Sequence, residues 1–167
     1  MKNILPILLL ISNIGFCQSD SINPILQFVY DNHGKKVGQG ICAELVAEAV
    51  NHKNGNNNFY ALFNDRDSLA IREVCFQEAL PGDIICFVDV AFKDQEYIRG
   101  AHMGILTDIL GDSAVYANQN AVYEDNLKFK TIKRGGEKME VLKKSKVVYY
   151  PFDIREAISG QVLIYRF

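Results

Sequence analysis

Apolar residues recur at helical spacing twice near the start of the chain. Ile22, Ile25, Leu26, Phe28 and Val29 fall at roughly helical intervals between Ser21 and Asp31, and Asn32-His33-Gly34 then breaks the run. After a second break at Gly38-Gln39-Gly40, the residues Ile41, Cys42, Leu45, Val46 and Ala49 follow an i, i+3, i+4, i+7 pattern, with Glu44 and Glu48 on the other side. The spacing predicts two short amphipathic helices, the second beginning at or just before Cys42. Asn51 to Asn58 is polar and rich in asparagine, with no apolar face to bury, and reads as a loop.

From Leu80 onward the period shortens. Pro81-Gly82-Asp83 reads as a turn, Ile84 to Phe92 as a buried strand and Ala101 to Leu110 as a second. Ser113 to Val122, Lys128 to Lys133, Lys138 to Tyr150 and Gln161 to Phe167 are further strand candidates. Helices first and strands afterwards is the order of an α+β domain, with the N-terminal helices packed on an antiparallel sheet.

Length and composition fit one such domain. The chain has 167 residues and 49% hydrophobic content, enough for a single compact core, and neither an internal repeat nor a linker divides it. Residues 1–17 change this picture at one end. Met1-Lys2-Asn3 followed by the apolar run from Ile4 to Ile11, too short to span a bilayer, predicts a signal peptide with Gly15 and Cys17 before the cut, and a single domain over 18–167. Lipid attachment at Cys17 is the rival reading, and Ile14-Gly15-Phe16 fits its signature poorly. The expected location is therefore exported, periplasmic or extracellular, with no membrane span in the mature chain.

A formal net charge of −2 points to no nucleic-acid partner. The basic stretch formed by Lys128, Lys130, Lys133, Arg134, Lys138, Lys143, Lys144 and Lys146 reads first as a solvated strand face and second as a surface for an anionic polymer such as a cell-wall glycan. No Cys-x-x-Cys, metal-ligand spacing or glycine-rich phosphate loop occurs, so neither metal nor cofactor is expected.

Beyond Cys17 the chain keeps Cys42, Cys75 and Cys86, an odd number in a compartment where thiols tend to pair. Cys75 and Cys86 lie in strand-like apolar runs, where they either pair or fill core volume. Cys42 differs, because a helix N-terminus stabilises a thiolate through unsatisfied N–H groups and local positive potential. Gly38 and Gly40 would let backbone N–H groups approach an acyl oxyanion, and Gln39 would add a side-chain donor. The alternative is a core cysteine sharing the stripe of Leu45, Val46 and Ala49.

A thiol hydrolase also needs a base. His33 and His52 lie in polar stretches, whereas His102 opens an apolar strand in which His102, Gly104 and Leu106 share one face, and the small Gly104 leaves room beside the imidazole. Gly111-Asp112 should turn this strand into the next as an antiparallel hairpin. A loop over 110–112 would set His102 opposite Asn120, and a slip of two residues would set it opposite Asn118. Either asparagine would hold the imidazole in the tautomer that a base requires. The bland reading of both is a solvated hairpin face.

The order of these segments resembles the CHAP and NlpC-type cysteine amidase/peptidase superfamily over about residues 37 to 167. Val37-Gly38-Gln39-Gly40-Ile41-Cys42 is similar to its nucleophile segment, Leu80-Pro81-Gly82-Asp83-Ile84-Ile85 to the turn before its first core strand, and His102-Met103-Gly104-Ile105 to its histidine strand. Asn118-Gln119-Asn120 resembles a Glu-x-Asn element, with Asn118 where CHAP domains carry Glu. The ending from Ser159 to Arg166 also resembles a cysteine-proteinase-fold domain of fungal actin-patch proteins. The resemblance implies a papain-like fold and a thiol hydrolase that cleaves amide bonds, such as those of peptidoglycan peptides. Cys42 would attack, His102 would move the proton, Asn118 or Asn120 would orient it, and the Cys42 backbone N–H, with Gln39 and Gly40, would face the oxyanion. Asn accepts an imidazole N–H but does not stabilise an imidazolium as a carboxylate does. Two rival readings follow: a catalytically silent binding module of the same fold, and a thiol-dependent acyl or amide transferase.

Overall fold

The structure is a computed structural model and describes residues 23–55, 59, 71–93, 98–120, 129–134, 136–142 and 145–167. The expected signal peptide and Cys17 lie outside the described residues. Two helices lead, α1 (Pro24–Asn32) and α2 (Cys42–Asn54), and strands follow. The α+β arrangement with N-terminal helices on an antiparallel sheet is what the structure has.

Helix α1 starts where its chemistry permits. The Asn23 side chain accepts the Ile25 N–H at 3.0 Å, and Pro24 takes the first helical position, where a missing N–H costs nothing. Helix α2 runs to Asn54, into the stretch read as a loop, because Gly55 adopts φ 65° and its N–H reaches Asn51 O at 2.9 Å. The glycine, rather than the first asparagine, is the stop signal.

The strands are β1 (Arg72–Val74), β2 (Ile84–Phe92), β3 (Ile98–Leu110), β4 (Ser113–Asn118), β5 (Phe129–Arg134), β6 (Glu137–Leu142), β7 (Val148–Asp153) and β8 (Ala157–Arg166). Six form a curled antiparallel sheet in the order β1-β8-β2-β3-β4-β7, and β5 and β6 form a separate hairpin. The single strand expected over Lys138 to Tyr150 is thus two strands in two sheets. The polar residues between them include Ser145, which is buried and donates its hydroxyl to Gly40 O at 2.7 Å instead of continuing a ladder. Strand β1, only three residues long, carries too little pattern to be seen in sequence.

Alternation along the strands gives the sheet two buried layers. Ile84, Cys86, Met103, Ile105 and Ala117 face the helices and pack with Ile25, Val29, Leu45, Val46 and Val50. Ile85, Phe87, Leu106, Tyr116, Phe152 and Ile164 face the other way and form an aromatic-rich layer, in which Phe87 and Phe152 lie 5.5 Å apart edge to face.

The Pro-Gly-Asp turn is tied into this frame. Gly82 N–H reaches Leu106 O at 2.8 Å, and Asp83, 4% exposed, accepts two bonds from the Arg166 guanidinium at 2.9 and 2.7 Å and one from Leu80 N–H at 2.8 Å. The end of the chain is thereby clamped to the start of β2. Among the described residues no helix is long and apolar enough to cross a membrane.

Candidate active site

Cys42 is the first residue of α2, preceded by the extended N-cap Ile41, which makes no side-chain capping bond. It is half-buried and packs against the helix-side layer. Its neighbour there is Cys86, whose thiol burial pushes up to about 11, with Cys42 adding to the shift. Cys75 is exposed beyond the end of β1 and Cys86 is buried, and the two are not bridged. Cys86 fills core volume as the sequence allowed; Cys75 does neither of the two things expected of it.

The loop leading to Cys42 is closed by its own hydrogen bonds. Gly40 N–H reaches Val37 O at 3.0 Å, and the Glu44 carboxylate accepts Gln39 N–H at 2.5 Å. The Gly40 amide expected to face an oxyanion is therefore engaged inside the loop, and the Gln39 backbone is tied to the first turn of α2. Gly40 is buried with φ 94°, and a Cβ there would lie 3.0 Å from Ser145 Cβ, so close approach and backbone conformation both call for glycine. Gln39 is exposed.

His102 lies on β3 directly opposite Phe87, with its ring 6.5 Å from that of Tyr116. It is 8% exposed, and burial holds its pKa down at about 4 against a small upward pull from the Asn118 side chain. Asn118 ends β4 and is fully buried. Its amide lies beside the imidazole, but neither of its polar atoms makes a well-directed hydrogen bond, and His102 Nε2 is likewise buried without a partner. Asn120 follows the strand in a left-handed conformation, φ 64°.

The hairpin reaches this arrangement by an unexpected route. Leu110 pairs with Ser113 across a two-residue turn, not 109 with 113, and a bulge between Leu106 and Asp108 then shifts the ladder so that Leu106 meets Tyr116 and Ile105 meets Ala117. Asn118 therefore stands diagonal to His102 on the same face, close enough for side chains to meet. Gly104 does not leave room for another group: a Cβ there would lie 2.5 Å from the Tyr116 ring and 2.7 Å from Ala117 O. The ring occupies that space.

The same alternation separates the two principal residues. His102 belongs to the layer of Phe87 and Tyr116, whereas Cys42 packs on the layer of Cys86 and Met103, on the opposite face of the sheet. The structure brings His102 to Asn118 and Cys42 to Cys86; it does not bring Cys42 to the face that holds His102. The other two histidines are exposed and sit against rings, His33 stacked on Tyr149 at 4.6 Å and His52 tilted on Phe28 at 5.5 Å.

Sequence reasoning passed over Gln119. It is fully buried on the helix side of β4, where its amide meets both ends of the Cys42 loop. The available signal was parity, since an amide that directly follows Asn118 at the end of a strand points to the opposite layer if the alternation carries one residue further. An open groove of about 450 Å³ lies elsewhere, lined by Glu73 to Phe76, Ile154 and Val162 to Ile164. Among the described residues no three His, Cys, Asp or Glu side chains converge as metal ligands would. No family model, curated protein or solved structure matches the chain.

Proposed function

We propose that this chain is an exported module with the papain-like layout of CHAP and NlpC-type domains, working as a binding module and not as a hydrolase. Peptide or amide-bearing ligands, such as cell-wall peptides, are the class that such a layout accommodates. The layout is supported by the order of its parts along the fold: Cys42 opens α2, Pro81-Gly82-Asp83 precedes β2, His102 lies on β3 and Asn118 ends β4. The silence is carried by one observation, the placement of Cys42 and His102 against opposite layers of the sheet. A base assists a nucleophile only within hydrogen-bond reach of its proton. An imidazole with a pKa near 4 is also a weak acceptor for a thiol proton.

A second reading, the secreted thiol hydrolase or its transferase variant, draws support from Cys42 in the first turn of a helix and from Asn118 beside His102. It requires the imidazole to reach the face of Cys42. Iodoacetamide labelling, mapped by peptide mass in wild type and His102→Ala, decides between the two. The binding-module reading expects the Cys42 rate to stay within about twofold between the proteins, since removing a base that does not reach the thiol leaves its thiolate fraction unchanged. Collapse of Cys42 labelling without His102, together with release of product from an amide substrate, would instead establish the hydrolase.

A further inference from the structure

We propose that Gln119 is the positioning residue of Cys42, fixing the direction of the Cys42 backbone N–H from the far side of the loop. The inference goes beyond the reading above and does not depend on whether His102 takes part. Gln119 is 0% exposed, and a buried primary amide is costly unless its donors and acceptor are used. They are used here. Oε1 accepts Val37 N–H at 3.1 Å, and Nε2 donates to Val37 O at 2.9 Å and to Ile41 O at 2.8 Å. Both protons of the amide are thereby engaged, and one side chain holds the two ends of the loop that carries Gly38, Gln39 and Gly40.

The bond to Ile41 O matters most. That carbonyl belongs to the same planar peptide unit as the N–H of Cys42, so fixing one direction fixes the other. It is also the first carbonyl of α2, accepting Glu44 N–H at 3.2 Å and Leu45 N–H at 3.4 Å. Gln119 thus acts where the loop becomes helix, one peptide before the thiol. Ser145, between β6 and β7, closes the loop through Gly40 O, one peptide before the Ile41–Cys42 unit. Without the amide, the buried carbonyls of Val37 and Ile41 would each lose a donor, and the first turn of α2 would be free to reorient.

The three described cysteines supply the controls for a test. Cys75 is exposed and reports intrinsic reagent reactivity, and Cys86 is buried and reports global opening. Iodoacetamide labelling of all three is followed against pH in wild type and in Gln119→Met, which keeps the length of the side chain and removes its hydrogen bonds. The expected result is a fall of about tenfold in the Cys42 to Cys75 rate ratio near neutral pH and a shift of the Cys42 profile to higher pH, with Cys86 still protected. A purely structural role would expose Cys86 or change accessibility without moving the pH profile. An unchanged Cys42 profile in a variant that keeps Cys86 protected overturns the proposal. Should Gln119→Met fail to fold, Gln119→Leu is read by the same Cys42 profile, and in the wild-type protein exchange of Val37 N–H as fast as in an unstructured peptide overturns the proposal equally.

Discussion

His102 is a titratable side chain enclosed by Phe87 and Tyr116, and its burial makes stability depend on pH. The folded-state pKa is lowered from the usual 6.5 to about 4. The unfolded chain therefore binds more protons than the folded one between these values, so this group's contribution is full above about pH 6.5 and is lost as the pH falls towards 4. A shift of this size corresponds to roughly 2 to 4 kcal/mol. Carboxylates titrate in the same region, so the contribution is read as a difference. Denaturant unfolding at about pH 7 and about pH 4.5 should show a larger loss of stability for wild type than for His102→Gln. Equal losses in the two proteins would mean that the imidazole is not buried neutral. Gly104 beside it tests the same layer, since Gly104→Ala must displace the Tyr116 ring or the Ala117 carbonyl and should cost about 1 to 3 kcal/mol in thermal or denaturant unfolding.

At the scale of elements, the Asp83–Arg166 pair joins the turn before β2 to the last strand. Asp83→Asn keeps the shape but gives the guanidinium an amide in place of a carboxylate. The expected loss is about 2 kcal/mol by denaturant unfolding, below that of a fully enclosed pair because the Arg166 side chain is 27% exposed. A cost near zero would show that the pair is only a surface contact. Elements of this kind separate what was legible in the sequence from what was not. The second helix and the long strands β2 and β3 were legible because their periodicity is continuous. The division between β6 and β7 was not, because a short polar break looks alike whether a strand bends or changes sheet. The hairpin register came out as extrapolated only because two unforeseen features cancelled, a shorter turn at Gly111-Asp112 and a bulge after Leu106. Parity within β3 was readable from sequence, but which layer lay beneath the helices was not, and that choice is what separates His102 from Cys42. Gln119 and Arg166 escaped notice because their partners, at Val37 and Asp83, are 82 and 83 positions away along the chain.

Over the whole molecule, the order of strands in the sheet makes folding depend on the end of the chain. Strand β8 lies between β1 and β2, so the last strand in sequence occupies the interior of the sheet. It pairs with β2 from Ala157 to Tyr165 and supplies the only strand partner that β1 has among the described residues. Such pairings are long-range, and their loop-closure entropy is offset only once β8 docks. Ile164 adds a buried side chain to the aromatic-rich layer, and Arg166 closes the clamp on Asp83. Deleting residues 157–167 exposes the inner edge of β2 and removes one wall of that layer together. The deletion should therefore abolish the cooperative thermal transition, seen as loss of a sigmoidal unfolding curve by circular dichroism, whereas Asp83→Asn should keep the transition and lower its midpoint. An intact cooperative transition in the shortened chain would mean that β2, β3, β4 and β7 with the two helices form a stable unit alone and that β8 is an addition to it.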